Sequence, residues 1–227
     1  MADPELQGPP LAPERTALVR VAAAHASRDE QALRRWLIAA RAAAGPAAVE
    51  EVLLQAYLFL GFPAAIWALG VWRAVGGTAD GDGSMSPGAP GSVAPGEPGS
   101  MAPLEEWERV GEEVCRRVYA ENYEKLRRNV RALHGELDRW MIQEGYGKVL
   151  SRPALDLVTR ELCVVAALAV TRWEPQLHSH MRGALNAGAS PPDVEAALEV
   201  GLAFGSEESW KGRARALWER IRERHVC

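Results

Sequence analysis

The 227-residue sequence has few cysteines, few aromatic residues and no large excess of charge. Its three cysteines, Cys115, Cys163 and Cys227, are odd in number and far apart, and no Cys-x-x-Cys pair occurs. The sequence therefore predicts neither a disulfide framework nor a dithiol redox motif. Because the formal net charge is only −4, we expect no nucleic-acid partner.

Strand signals and a secretion signal are also absent. No stretch combines alternation of apolar and polar positions with β-branched residues, whereas apolar residues recur at helical spacing, as at Leu33, Leu37 and Ala40. With aromatic residues at only 7%, the sequence predicts an all-α fold packed through small side chains. The first ten residues lack the apolar stretch of a signal peptide, so a cytoplasmic location is expected.

Helix breaks can be placed from local chemistry. Ser27 and Glu30 have the spacing of a capping box, which predicts that the Ser27 side chain caps the next helix. Pro46 and the Gly-Phe-Pro at 61–63 are expected to start and divide helices, and the GYGK at 145–148 is expected to break one.

Glycine, proline and serine are concentrated in one segment. Residues 76–103 hold 8 Gly, 5 Pro and 4 Ser, and such a segment buries too little apolar surface to offset the entropy of ordering it. We predict a disordered linker there, with an N-terminal unit at 11–75 and a C-terminal unit at 104–227.

The two units share a sequence register. An offset of 144 residues aligns 17–61 with 161–205 without a gap, and the helix-breaking Gly61 falls on Gly205. We predict an internal duplication whose two copies form one pseudo-symmetric body, with the first copy degenerate. Further identities at this offset are Leu18/Leu162, Val21/Val165, Leu33/Leu177, Ala40/Ala184, Leu54/Leu198 and Leu58/Leu202.

The uncharged run 52–72 is long enough to span a bilayer. Its counterpart in the second copy, 196–216, carries Glu207, Lys211 and further charges. A position that tolerates charge in one copy is unsuited to a membrane span in the other. We therefore predict a buried interface at 52–72 and no membrane association.

Two histidines lie near the start of a predicted helix in the second copy. On a helix, His180 shares a face with Trp173, whereas His178 points nearly opposite, one turn after Glu174. The histidines cannot form a same-face metal pair, which needs i, i+4 spacing, and no metal is expected. His178 is interpreted as a surface residue paired with Glu174.

Glu161 stands at the head of an apolar helix, TRELCVVAALAV. A carboxylate there is either part of a structural ion pair or held in a site, where a neighbouring histidine would make general acid–base chemistry available. Arg152 and Arg160 lie nearby in sequence as candidate anion anchors. We expect Glu161 and His180 to lie within hydrogen-bond reach or one water of each other, with Trp173 as a pocket wall.

The segment 145–205 resembles the carboxymuconolactone decarboxylase family, which also contains the alkyl hydroperoxidase D proteins. The resemblance is carried by the Arg-Pro helix start, the Arg-Glu-Leu helix opening and the LH-x-H-x-x-G-A-L-N-x-G helix. It implies an all-α protein that forms ring-shaped trimers or hexamers, so a homotrimer is expected.

In the peroxidase branch, the resemblance implies a glutamate, a Cys-x-x-Cys and a histidine in a proton relay. Glu161 and His180 match the glutamate and the histidine, but Trp173 and Gln176 occupy the two cysteine positions. Neither residue supplies a thiolate, the nucleophile of that chemistry.

In the decarboxylase branch, the resemblance implies cofactor-free proton transfer to a small lactone carboxylic acid, with His180 as the acid and Glu161 orienting it. We predict this activity. Two alternatives stay open: a peroxidase in which Cys163 or Cys115 replaces the missing pair, and a non-catalytic paralogue retained for assembly. The candidate substrate contacts are Trp173, Gln176, Arg152, Arg160 and His178.

Overall fold

The computed structural model of the chain describes residues 11–77, 104–205 and 207–226, and every regular element in these ranges is a helix. The predicted all-α fold is confirmed. Most of the predicted linker, residues 78–103, lies outside the described residues, as does Cys227. None of the described helices combines the length and hydropathy that a membrane span requires.

Five helices precede residue 78. They are α1 (Pro13–Ser27), α2 (Glu30–Ala44), α3 (Pro46–Gln55), α4 (Tyr57–Leu60) and α5 (Phe62–Ala74). Pro46 lies in the first turn of α3 and Pro63 in that of α5, where the missing amide proton costs nothing. Gly61 separates α4 from α5 with a φ of 83°, a value that favours glycine. The breaks predicted at these positions are confirmed.

The predicted capping box at the start of α2 is wrong. Asp29 is the cap, and its side chain accepts a hydrogen bond from the Ala32 amide at 3.0 Å. The Ser27 hydroxyl instead donates to the Ala24 carbonyl at 2.9 Å, because Ser27 still belongs to α1. The chain leaves α1 only at Arg28, which adopts a left-handed conformation.

The second part of the chain contains seven further α-helices, a 3₁₀ turn at Ala120–Asn122 and a π-helix at Met141–Leu150. The α-helices are α6 (Leu104–Tyr119), α7 (Tyr123–Leu133), α8 (Gly135–Trp140), α9 (Leu157–Thr171), α10 (Glu174–Ala187), α11 (Pro191–Ala203) and α12 (Glu208–Val226).

Helix ends follow the same 144-residue register as the sequence identities. α9 begins and ends 144 residues after α1, and α10 begins 144 residues after α2. The left-handed residues that end α1 and α9, Arg28 and Arg172, correspond as well, as do Gly61 and Gly205 with their positive φ. The offset of 144 residues therefore relates these helix ends as well as the identical residues.

Helix α9 lies at the centre of the fold. Twelve of its fifteen residues are buried, and it packs against α1, α10 and α11. Small residues permit the close approach: a Cβ on Gly201 of α11 would lie 2.5 Å from the Ala166 carbonyl oxygen of α9. A smaller apolar cluster forms between α6 and the π-helix, so that the α9–α10 pair lies beside both clusters.

The chain does not break at GYGK as predicted but continues as the π-helix, which packs tightly on α6. A Cβ on Gly147 would lie 2.0 Å from the Trp107 carbonyl oxygen, and one on Gly111 would lie 2.1 Å from the Ile142 carbonyl oxygen. The two backbones are thus in direct contact through glycine. Because Tyr146 precedes Gly147, this contact also fixes the position of Tyr146.

Replacing Gly147 by alanine is expected to lower the free energy of unfolding by about 3 kcal/mol, because the obstructing atom belongs to the backbone and cannot rotate away. Gly145→Ala is the matched control, since a Cβ there would meet nothing within 4 Å, and its effect should stay below about 1 kcal/mol. Urea unfolding followed by circular dichroism measures both, and equal effects would contradict the close packing.

Candidate active site

Glu161 of α9 and His180 of α10 form a buried pair. The His180 Nδ1 atom lies 2.8 Å from Glu161 Oε2, and the two residues are 5% and 0% exposed. The prediction that they lie within hydrogen-bond reach is confirmed. Only two residues, Arg172 and Trp173, join the helices, so α10 folds back against α9 and brings the histidine to the carboxylate.

Gly183 creates the space for the carboxylate. A Cβ at this position would lie 2.8 Å from Glu161 Oε2 and 2.7 Å from a methyl carbon of Val118. Any larger side chain would therefore displace Glu161 or α6. A glycine inside a helix costs about 1 kcal/mol relative to alanine, so Gly183 was an unused sequence signal for a close approach here.

The hydrogen bond assigns the proton on the imidazole. When the Glu161 carboxylate is ionised, Nδ1 of His180 donates to it, and Nε2 is left to exchange a proton with another group. The ring of Phe59 meets the His180 ring edge-on, with 5.2 Å between centroids. Because Phe59 belongs to α4, the first part of the chain also contributes a wall to the site.

The other oxygen of Glu161, Oε1, is buried and accepts no hydrogen bond from the described residues. Leaving a buried acceptor unsatisfied costs about 1–3 kcal/mol. Oε1 therefore has the capacity to accept a hydrogen bond from a group that enters the site.

Tyr119 of α6 and Tyr146 of the π-helix lie near the pair. Their rings meet edge-on with centroids 6.2 Å apart. Burial raises the pKa of both hydroxyls, and the negative charge of Glu161 adds to the effect. Both tyrosines therefore stay protonated at neutral pH. No sequence pattern pointed to either tyrosine, since the π-helix decides where Tyr146 lies.

Arg152 and Arg160, predicted as anion anchors, are brought to Glu51 of α3 and away from the histidine. Arg160 Nη2 donates to Glu51 Oε2 at 2.8 Å, and Arg152 Nε donates to Oε1 at 2.8 Å. The remaining Arg160 donors reach Gln55 Oε1 and the backbone carbonyls of residues 152 and 155. With its donors engaged in this way, Arg160 does not face the Glu161–His180 pair.

The Glu51–Arg160–Arg152 cluster holds the two parts of the chain together. Burial alone would raise the pKa of the Glu51 carboxyl, but the hydrogen bonds and charges of Arg152 and Arg160 lower it below its usual range. Glu51 is therefore ionised at neutral pH, and the interaction is a charged pair with almost no exposure to solvent.

The other predicted substrate contacts lie at the surface. Trp173, at the start of α10, is 58% exposed, so the structure does not bury it as a pocket wall, and Gln176 is exposed as well. His178 points away from His180 as predicted, but its predicted pairing with Glu174 is not formed. It faces arginines instead, and burial together with their charges lowers its pKa. Substrate contact by these residues stays a prediction.

The two described cysteines are free thiols inside the protein. Burial raises the pKa of both Cys115 and Cys163, which keeps them protonated at neutral pH. Within the described ranges, no group of three or more histidine, cysteine, aspartate or glutamate residues is placed to hold a metal ion.

Comparison with known proteins relates part of the chain to a described family and to a curated protein. Residues 135–220, which include Glu161 and His180, match the sequence model of the carboxymuconolactone decarboxylase family, so the resemblance noted in the sequence is confirmed for this part of the chain. Peroxisomal protein 2 of Schizosaccharomyces pombe is 29% identical over 92 residues, which are 40% of this chain and 43% of that protein. The match thus spans less than half the length of this relative.

Replacing Glu51 by alanine is expected to lower the free energy of unfolding by about 3–5 kcal/mol, because the buried guanidinium of Arg160 loses its carboxylate partner and Arg152 loses an ion pair. Glu195→Ala is the matched control. Glu195 occupies the corresponding position at the 144-residue offset, but its contact with Arg222 is 3.7 Å long and half-exposed, so the cost should stay below about 1 kcal/mol. Equal losses in urea unfolding would contradict a structural role for the Glu51 cluster.

The contribution of Glu51 should also depend on pH. The pKa of Glu51 is lowered on folding. The stabilisation that Glu51 contributes is therefore complete above the pKa of a glutamate in the unfolded chain, about 4.3, and is lost as the pH falls through the lower pKa of Glu51 in the folded protein. The stability difference between the protein and Glu51→Gln should therefore be constant from neutral pH down to about pH 5 and shrink at lower pH. A difference that grows on acidification would have the wrong sign.

Proposed function

Because residues 135–220 match the model of the carboxymuconolactone decarboxylase family, we propose that this chain carries out cofactor-free acid–base chemistry on a small organic acid or lactone. The observation that carries the proposal is the buried hydrogen bond between His180 Nδ1 and Glu161 Oε2. A histidine held by a carboxylate, with its second nitrogen unused, is an arrangement suited to proton transfer.

The proposed roles follow from the geometry. Protonated His180 delivers a proton from Nε2 to the carbon that keeps the electron pair when the carbon–carbon bond to the departing CO2 breaks. Glu161 holds Nδ1, fixes the orientation of the ring and stabilises its positive charge before transfer. Solvent then returns the proton to the histidine, so no other reactant is consumed.

The protonated tyrosines complete the site as hydrogen-bond donors. Because their pKa values are raised, Tyr119 and Tyr146 offer O–H groups to an anionic substrate or its dienolate and do not act as bases. Oε1 of Glu161 is available to a hydroxyl of the substrate. With Arg152 and Arg160 bound to Glu51, these neutral donors are the groups we assign to substrate recognition.

Two alternative functions, a thiol peroxidase and a non-catalytic role in assembly, differ in the observations that favour them. A thiol peroxidase needs a thiolate, and burial keeps Cys115 and Cys163 protonated, so we do not favour it. A non-catalytic role in assembly is favoured by one observation, the burial of both His180 and Glu161. Catalysis would require an opening between α4, α6 and α10 that admits the substrate.

The test is release of CO2 from carboxymuconolactone by the purified protein. His180→Gln should lower kcat by about 10²–10⁴-fold, the usual contribution of a general acid, while urea unfolding stays close to that of the unsubstituted protein. His134→Asn is the matched control, since His134 is exposed and caps α8. No turnover by the unsubstituted protein would instead support the non-catalytic role.

We further propose that the chain assembles as a homotrimer. Within the apolar run 52–72, Phe62 and Ile66 lie one turn apart on α5 and are 62% and 67% exposed, which is unusual for large apolar residues. Ile38 of α2 is 59% exposed. These residues support a subunit interface on the first part of the chain.

Sedimentation equilibrium should therefore give three times the chain mass, and Phe62→Lys with Ile66→Lys should reduce it to that of one chain. Leu133→Lys, at an exposed apolar residue of α7, should leave the mass unchanged. A monomer at micromolar concentration would contradict the proposed trimer.

The shared register of helix ends supports the proposal that 11–75 and 104–227 contain two copies of one unit, with the acid–base pair kept only in the second. The position of Glu161 in the first copy is Ala17, and that of His180 is Trp36. A cytoplasmic location also remains a proposal. The name of the relative makes the peroxisome the alternative, which imaging of the tagged protein would decide.

A further inference from the structure

The face of helix α10 opposite His180 carries His178 and Arg182 and lines a cavity. A cavity of about 500 Å³ opens there between α10, α12 and the 3₁₀ turn. His178 and Arg182 lie one turn apart on α10, and Arg220 and Arg224 lie one turn apart on α12, so both helices direct a pair of cationic or titratable side chains into the same space. The buried side chains of Leu185 and Ile221 also line this cavity.

The charges lining the cavity are not balanced. Three arginines and His225 contribute to the lining, whereas its acidic residue is Glu121, which is already paired with Arg182 at 2.6 Å. Within the described part of the chain, neither Arg220 nor Arg224 forms an ion pair. Elsewhere on α12, by contrast, Arg215 pairs with Glu199 and Arg222 with Glu219. The unpaired cations of α12 are thus the ones that face the cavity.

Two further observations agree with a concentration of positive charge. The pKa of His178 is lowered by burial and then by the charges of Arg182, Arg224 and Arg220, so the histidine meets repulsion from three arginines. An adjoining cavity of about 200 Å³ shares His178 and Arg182 and adds Lys125 to its lining. A fold that gathers like charges around a cavity gains most from an anion bound between them.

We propose that this cavity is a binding site for a small phosphorylated molecule, separate from the Glu161–His180 pair. Guanidinium groups match the tetrahedral oxygens of a phosphate through paired hydrogen bonds, and a dianion can satisfy two unpaired arginines at once. The volume lies in the range of small-molecule sites and exceeds what a phosphate alone fills. The organic part of the ligand packs against Leu185 and Ile221.

Phenyl phosphate is a suitable probe, since it joins a phosphate to a small apolar body. Calorimetric titration of the full chain should show binding of phenyl phosphate, weaker binding of inorganic phosphate and still weaker binding of benzoate at the same ionic strength. Arg220→Gln with Arg224→Gln should weaken the binding of phenyl phosphate by about a hundredfold, because each charge-assisted hydrogen bond contributes about tenfold.

Arg117→Gln with Arg128→Gln is the matched control. It removes the same charge from two exposed arginines that line neither cavity, and it should leave the affinity for phenyl phosphate unchanged. Circular dichroism confirms that both double variants are folded. The proposal is overturned if the unsubstituted protein does not bind phenyl phosphate, if the control loses affinity equally, or if benzoate binds more tightly than phenyl phosphate.

Discussion

The buried contact of Glu51 with Arg160 and Arg152 is the constraint on which the rest of the structure depends. It joins α3, in the first part of the chain, to α9 in the second, with almost no exposure to solvent. Because Arg160 must point toward Glu51, the rotation of α9 about its axis is fixed, and the next residue, Glu161, projects about 100° further round the helix toward α10. The acid–base pair is thus oriented by an ion pair that takes no part in its chemistry.

Helix α10 separates two environments of opposite character. His180 and Gly183 face the interior, where the histidine and the Glu161 carboxylate are buried beside two protonated tyrosines. His178 and Arg182 face a cationic cavity that is open to solvent. Two residues along a helix correspond to a rotation of about 200°, so a single helix presents both sets of side chains without any break. The proposed acid–base site and the proposed phosphate-binding site can therefore bind different ligands.

The interior site has no Cys-x-x-Cys pair beside it in the sequence. Without thiolates at 173 and 176, the pair formed by Glu161 and His180 has no redox partner at those positions, yet it keeps its hydrogen bond and its apolar surroundings. A low-dielectric enclosure strengthens the hydrogen bond between the His180 ring and the Glu161 carboxylate and keeps the tyrosine hydroxyls protonated. These surroundings support the proposal of proton transfer, for which no thiol is needed.

Local patterns in the sequence determined the helices and most of their breaks, because these depend on spacing within a few turns. The 144-residue register follows from identities along the sequence, and the approach of Glu161 to His180 follows from the short connection between their helices. Only the tertiary structure decided the partners that lie far apart in the chain. Arg160 meets Glu51 at a separation of 109 residues, Phe59 reaches His180 from α4, and Tyr146 is placed by a π-helix where the sequence predicted a break. The cationic cavity has the same origin, since Arg220 and Arg224 join His178 only when α12 packs beside α10. Spacing along the chain specifies which face of a helix a residue occupies, but packing between helices specifies what that face meets.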